Sequence, residues 1–502
     1  MTPDIIFQPL EWRNLTVKNR IFRSSISGRW DNYDGSGTQA RINWEEQFAQ
    51  GGVGAIISSY TPIHIEGRIV PNAAMIDSDD RIPFWKKVGE TVHQHDCKFI
   101  LQLSHSGRQR DIDGVENTVP DSFKPTPALS ATTLSEQIHG FRCRQMTRTE
   151  IKQTVQRFAD GARRAREAGL DGVELHSSHG YLITQFLSSG INIRNDDYGG
   201  SLENRYRFLQ EIVQAIRQTV GDDFHLQAKI SAVDYNNVLP WERRGNTLSE
   251  SIQVCQWLER DGVDALHISR GSTFPHPLLP AGPFPFKIAT STYDTMISSA
   301  PWRTLLNYFL FRSPLLQPFF KCIWNRLERH WQPPVKGDRL SSDALSQLMQ
   351  EHISVHEFQT LLARYQGTVM EDAQAIKEQV NIPVICTGGF QQASFIRQAI
   401  EKGFCDGVTL ARPLVANKDL AHQFQAGNDI PERPCTYCNQ CLGSYLEYPL
   451  GCYERRRYYQ RSITSADQTE QDKAAREAHD AMIQDAMQVY NPPPFSPSKQ
   501  TA

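Results

Sequence analysis

A closed (β/α)8 barrel is the fold this sequence predicts, and three observations carry the prediction. Short apolar runs recur at 21–27, 54–60, 98–104, 171–176, 225–231, 264–269, 383–388 and 406–411. Amphipathic stretches of helical period separate most of them, and such alternation implies a parallel sheet. No GxGxxG joins a strand to a helix, which leaves an open, doubly wound sheet as the weaker alternative. A barrel of this kind needs about 250 residues, well within the 502 of the chain.

The clearest helix begins at Thr147, with Glu150 three residues on to complete a capping box. Ile151, Val155, Phe158, Ala162 and Ala165 then share one face, and Gly169 stops the helix. Gly262 and Gly403 give similar endings before the sixth and eighth strands. GGVGAI at 51–56 precedes its strand and has the wrong spacing for a nucleotide fingerprint, so it reads as a helix stop. These units make a barrel domain over 1–430, interrupted by an insertion at 277–370. Within the insertion, 301–334 interleaves Trp302, Phe309, Phe311, Phe319, Phe320, Trp324 and Trp331 with Arg303, Arg312, Lys321, Arg326 and Arg329. Three readings stay open: a lid packed on the barrel with its arginines in water, a surface for a partner protein, or a helix lying in a membrane interface. A cysteine-rich loop at 431–456 follows the barrel. The tail, 457–502, predicts one amphipathic helix from about 466 to 490 and a disordered, proline-rich end.

A hydrophobic content of 39% with 22% charged residues describes a soluble globular protein. A net charge of -3 offers no electrostatic case for nucleic acid. The opening MTPDIIFQPLEW lacks the basic and apolar regions of a secretory signal, and no run of ~18 apolar residues predicts a spanning helix. A reducing cytoplasm is therefore the expected location, and cysteines there are more readily metal ligands than disulfides. Cys435-x2-Cys438-x2-Cys441-x10-Cys452 differs from the two separated pairs usual for zinc. Three cysteines at successive x2 spacings and a distant fourth suit a [4Fe–4S] cluster better, with structural zinc or plain thiols as alternatives. Cys97, Cys143, Cys255, Cys322, Cys386 and Cys405 are scattered and read as small core residues.

The chemistry concentrates in DGVELHSSHGYLITQFLSSGINIRNDDYGGSLENRYRF, residues 171–208. His176, His179 and Tyr181 follow a predicted strand, and groups at the carboxyl ends of barrel strands converge on one cleft. HxxHGY followed by QFLS, DDYGG and SLENRYRF resembles the old yellow enzyme family of flavin oxidoreductases. RPC-x2-CNQC, at 433–441, further resembles that family's 2,4-dienoyl-CoA reductase and trimethylamine dehydrogenase branch, in which such a loop holds an iron–sulfur cluster.

The resemblance implies an FMN lying across the barrel mouth. Ser25 would contact it through its backbone, Ser27 would face the flavin edge, Gln102 would read the pyrimidine portion, and Tyr60 would narrow the pocket. Lys229 stands where the family has arginine; it keeps the charge and loses the planar fork. Gly388 and Gly389, then Ala411 and Arg412, would anchor the phosphate beyond strands seven and eight. His176 and His179 would hold a substrate carbonyl while Tyr181 protonates carbon. The implied reaction is reduction of the C=C bond of an unsaturated carbonyl or enoyl thioester. Two alternatives stay open: an amine dehydrogenase of the trimethylamine dehydrogenase type, and a flavin/iron–sulfur electron-transfer protein docking through 301–334. Relatives with this cluster usually continue into further nucleotide-binding domains, whereas this sequence runs about 50 residues past Cys452. Electrons are thus expected from a separate redox protein or directly from NAD(P)H. His276, beyond the sixth strand, lies where the 2,4-dienoyl-CoA reductase branch has a second proton donor, but reads here as a surface-loop histidine.

Overall fold

The computed structural model describes residues 4–70, 72–110, 127–136, 141–237, 245–272, 276–286, 290, 301–331, 361–431, 433–445, 448–454 and 468–490. All eight expected strands are present: β1 (Ile21–Arg23), β2 (Ala55–Ile57), β3 (Lys98–Ser104), β4 (Gly172–Ser177), β5 (His225–Ser231), β6 (Ala265–Ser269), β7 (Val384–Thr387) and β8 (Gly407–Leu410). They pair in parallel in chain order, and β8 pairs with β1, so the sheet closes. β1 is shorter than its apolar run because the chain leaves the ladder after Arg23, carrying Ser25 and Ser27 over the barrel rim.

Helices cover the outside: α1 (Gln39–Gln50), α2 (Ile82–His93), α3 (Arg148–Glu167), α4 (Leu202–Val220) and α5 (Leu248–Arg260). After the insertion helices α6 (Pro301–Arg312) and α7 (Gln317–Trp331) come α8 (Met370–Lys377) and α9 (Ala393–Glu401). α3 bears out the expected capping box: Glu150 N–H donates to Thr147 Oγ1 at 3.2 Å, and Thr147 N–H donates to Glu150 Oε2 at 2.8 Å. Such a cap stabilises a helix by about 1 kcal/mol. The apolar stripe of α3 is buried through Ile151, Phe158, Ala162 and Ala165, and Gly169 ends the helix at φ +73°. GGVGAI is the helix stop expected, with Gly51 capping α1.

Inside the barrel, the side chains stack in layers because successive residues of a strand alternate in direction. A two-stranded hairpin, Leu10–Glu11 with Thr16–Val17, plugs the amino end. Its Leu10, Trp12, Leu15 and Val17 pack on Phe22, Ile57, Ile100 and Ile385. Above that apolar floor the next layer is polar: Gln102, Glu174, Gln227, His267 and Thr409 are all essentially without solvent exposure. The layer survives burial because its members satisfy one another. Glu174 accepts from Gln102 Nε2 at 2.6 Å and from Gln227, and its Oε2 lies 2.8 Å from His267 Nδ1. His267 Nε2 reaches Thr409 Oγ1 at 3.0 Å.

The tail helix spans Gln468–Met487 and buries Ala478, Met482 and Ala486, the last two packed with Tyr453. The expected disordered end, 491–502, lies outside the described residues. The scattered cysteines divide: Cys97, Cys255, Cys386 and Cys405 are core residues, whereas Cys143 is half-buried and Cys322 is exposed. Cys322 sits on the outer side of α7, a face that the barrel does not cover.

Candidate active site

β4 carries two inward side chains, Glu174 in the polar layer and His176 one layer higher, with Val173 and Leu175 turned into the core around the helices. Beyond the strand, His179 (φ +60°) and Gly180 (φ +78°) turn the chain left-handed and bring Tyr181 back over His176. The rings of His176 and His179 are 5.3 Å apart and nearly perpendicular, and Tyr181 lies 4.6 Å from His176. The turn is pinned on both sides: His179 N–H donates to Gly271 O at 3.1 Å, and His179 Nε2 is 2.7 Å from Ser269 Oγ. His176 Nδ1 lies 3.3 Å from Ser178 Oγ.

Lys229 of β5 stands in register with both His176 on β4 and His267 on β6. Burial drives the His176 imidazole well below its ordinary range, and His179, Lys229 and His267 push it further. His179 is lowered by burial, then by Lys229 and His267. Both rings are therefore neutral at pH 7, each with one N–H donor and one acceptor nitrogen. Burial lowers Lys229 itself, and the Glu174 carboxylate below it opposes that loss of charge. Burial also holds the Tyr181 phenol well above its ordinary value, with Tyr60 and Tyr445 adding to the effect. Tyr60, faced by the Ser27 hydroxyl, is raised chiefly by burial. The mouth thus gathers two neutral imidazoles, one cation and protonated phenols.

Ser25, Gln102 and Lys229 line the same lumen. Ser25 Oγ donates to Gln102 Oε1 at 2.8 Å while Gln102 Nε2 donates to Glu174, which fixes which end of the amide is which. Across the barrel, Gly388 follows β7 with φ +149°, and a Cβ there would lie 3.1 Å from Thr368 N and 3.3 Å from Val369 N. The bare face of Gly388 is thus packed close against the 368–369 backbone, which a side chain would displace. Gly389 carries φ +74°, and a Cβ would come within 2.4 Å of Tyr365 O. Arg412 follows Ala411 at the end of β8; its guanidinium donates to Ala281 O at 2.5 Å and to Asn439 Oδ1, and lies over the Tyr437 ring. Tyr437 in turn donates its hydroxyl to Gly389 O. Arg412 is therefore tied to the glycine pair through the cysteine loop.

That loop reaches the site through residues between the cysteines. Tyr437 and Asn439 both adopt φ +58°, a conformation rare for tyrosine. Cys435 Sγ accepts from Tyr437 N–H at 3.4 Å. Burial pushes the Cys438 thiol up, and Glu454 and the thiols of Cys452, Cys435 and Cys441 add to it. Cys441 is pushed up to about 12, again chiefly by burial, with Cys435 and Cys452 within electrostatic reach. The four thiols thus share one neighbourhood. Among the described residues, no three histidine, cysteine, aspartate or glutamate side chains converge as ligands of a single metal ion.

The model of the NADH:flavin oxidoreductase / NADH oxidase family matches residues 5–295. The chain belongs to this family. The match takes in the first six strands of this family member, including the His176–Tyr181 turn and Lys229. Over 432 residues the chain is 29% identical to the NADH oxidase of Thermoanaerobacter brockii, covering 86% of this chain and 52% of that protein. It therefore spans about half of that relative's length. It is 38% identical over 274 residues to the NADPH dehydrogenase of Halalkalibacterium halodurans, 54% of this chain and 75% of that one. A 2-naphthoyl-CoA reductase structure superposes with a TM-score of 0.67 at 22% identity, over 89% of this chain and 56% of that chain. This last likeness is one of fold.

The residues present fit the family's flavin: an oriented amide and a cation in the lumen, small side chains at the rim of β1, and side-chain-free, positive-φ backbone at Gly388 and Gly389. Gly389 tests the anchor. Gly389→Ala would place a side chain in left-handed backbone against Tyr365 O, at a cost of about 1–2 kcal/mol before any clash. FMN titrated into the apoprotein should then bind about tenfold more weakly; unchanged affinity would remove Gly389 from the anchor.

Several functional neighbours were not legible as such. Glu174 and His267 read as ordinary strand residues, although polar side chains at alternate positions of barrel strands were a usable signal. Tyr437, Asn439 and Tyr445 were hidden by the cysteines around them. His276 corrects an expectation: it is buried, not a surface-loop residue, with Nε2 3.2 Å from Asn237 O and Leu278 N–H donating to its Nδ1. Burial lowers it to about 4, and lowers His105, at the end of β3, to about 3. Below their ordinary 6.5 the unfolded chain takes up protons at both that the folded protein refuses. Stability should be full above that value and fall as the pH drops from about 6.5 toward 4, by about 1.4 kcal/mol per pH unit for each group. Denaturant midpoints at pH 7.5 and 5.5 measure this; a midpoint that stays level would contradict it.

Proposed function

We propose that this protein is an FMN-dependent reductase of the C=C bond in α,β-unsaturated carbonyl compounds or enoyl thioesters. The observation that carries this reading is the His176–His179–Tyr181 group over Lys229: two neutral donors side by side, with a protonated phenol against one of them. Bound FMN would supply hydride to the alkene β-carbon, taking its electrons from NAD(P)H or a redox protein. The chain's own residues do the rest. His176 and His179 each direct an N–H at the substrate carbonyl oxygen and stabilise the negative charge that develops there. Tyr181 holds the proton for the α-carbon, and its raised phenol keeps that proton at neutral pH. Lys229 would supply positive charge to a bound flavin ring, and Gln102, held by Ser25 and Glu174, presents its amide with a defined orientation. Ser27 and Tyr60 bound the pocket. Gly388, Gly389, Ala411 and Arg412 hold the phosphate.

We further propose that Cys435, Cys438, Cys441 and Cys452 hold a [4Fe–4S] cluster. A cubane bonds each thiolate to a different iron, so its ligands surround a volume instead of meeting at one ion. The mutual electrostatic reach of the four thiols supports this arrangement; zinc would instead need all its ligands about 2.3 Å from one point. Burial raises the Cys438 and Cys441 thiols only while no cation is present, since coordination deprotonates a thiol outright.

The names of the relatives support the reading at the level of class, a NADPH dehydrogenase among them. The test is anaerobic: iron and flavin analysis of purified protein, then reoxidation of its reduced flavin by a panel of enones and enoyl thioesters. Reduction of the oxidised form by amines, with enones inert, would assign it instead to amine oxidation.

A further inference from the structure

We propose that the α6–α7 hairpin docks the protein on the surface of an anionic lipid bilayer. The hairpin has two faces of different character. Its inner face is held to the barrel-mouth loop by Phe284 on Trp324 at 4.7 Å and Phe286 on Phe320 at 5.7 Å, while Phe311 of α6 packs on Phe320 of α7 at 4.8 Å. The same loop gives Ala281 O to Arg412 and Pro283 O to Asn439, so the hairpin rises from the end of the barrel that carries His176 and Tyr181.

The outer face and tip are apolar and uncovered. Leu315 in the turn is 87% exposed, Leu305 62%, Phe319 61% and Phe309 52%, with Ile323 and Leu316 about 40%. Scattered exposed apolar residues need no explanation; a set running along α6, round the turn and into α7 does. A lid packed face-down would have buried these residues, and burial instead falls on the inner Phe320–Trp324 side.

Charge selects the occupant. Residues 301–331 carry five Lys and Arg against one carboxylate, a local excess of +4 in a chain of net -3. That carboxylate, Glu328, is buried, whereas Arg312, Lys321, Arg326 and Arg329 are all exposed. The exposed charge of the hairpin is therefore wholly positive beside an apolar, aromatic tip. Aromatic and leucine side chains flanked by exposed cations match the acyl–headgroup boundary of an anionic leaflet. No described helix is long and apolar enough to cross a membrane, so the hairpin lies on the bilayer and does not span it.

Flotation of the full-length holoprotein with vesicles tests this. With phosphatidylcholine containing about 30 mol% phosphatidylglycerol, binding should exceed that to pure phosphatidylcholine by about tenfold and weaken as salt rises. Leu315→Ser with Phe319→Ser should cut binding about tenfold through lost apolar contact. Arg326→Glu with Arg329→Glu should abolish the preference for phosphatidylglycerol. Flavin content and circular dichroism equal to wild type show that the variants are folded. Failure to float with either vesicle, or apolar variants that float like wild type, overturns the proposal. Concentration-dependent dimerisation abolished by Leu315→Ser with Phe319→Ser would overturn it in favour of a second copy of the chain. None of these outcomes depends on the alkene-reductase reading.

Discussion

Tyr181→Phe is expected to slow alkene reduction by about 10²–10⁴-fold, the usual contribution of a positioned general acid, while NAD(P)H-driven bleaching of the flavin absorbance proceeds as in wild type. The expectation rests on position and on proton affinity. Tyr181 packs 4.6 Å from His176, the ring nearest to it in the site, so the phenol and the carbonyl-binding donors act on one substrate from adjacent points. Burial and the neighbouring phenols of Tyr60 and Tyr445 keep it protonated. A phenylalanine fills nearly the same volume and removes only the hydroxyl. Stopped-flow measurement of the two half-reactions separates the roles. Equal loss in both would mean that the substitution disturbs flavin binding and that Tyr181 is not the acid; no loss in either would place the proton elsewhere.

How much of this was legible beforehand follows from the kind of signal each feature leaves. Strands and helices were readable because burial on one face imposes a period, as along α3, and because a cap such as Thr147–Glu150 needs fixed spacing. His176, His179 and Tyr181 were readable because one short turn places all three, so sequence distance stands in for spatial distance. The ties among Arg412, Asn439, Tyr437 and Gly389 were not readable. They join positions up to 131 residues apart, counting Ala281, and depend on how the cysteine loop folds back over the barrel mouth. The hairpin was readable as a composition and not as an orientation. Its aromatics divide between an inner set around Trp324 and an outer set around Phe309 and Phe319, and only packing distinguishes the two.

Glu174→Gln is expected to destabilise the fold by about 3–5 kcal/mol, the cost of removing one member of a buried charged group and leaving the others uncompensated. Glu174 has no solvent exposure, and burial alone would raise its carboxyl; His267, Lys229 and the Gln102 hydrogen bond outweigh burial and lower it below the ordinary 4.5. The carboxylate is therefore charged throughout the physiological range and offsets Lys229 directly beneath the proposed flavin site. A glutamine keeps the size and accepts one of the bonds, but it returns no charge to Lys229. It also presents an amide to Gln102 and Gln227, both of which already donate there. Because the folded carboxyl is depressed, its stabilisation is present above pH 4.5 and lost only as the pH falls through the lower folded value. The gap between wild type and Glu174→Gln should accordingly stay constant from pH 8 to 5 in urea titrations. A gap that closed within that range would mean that the carboxyl takes up a proton there, and that Lys229 draws its charge balance from another neighbour.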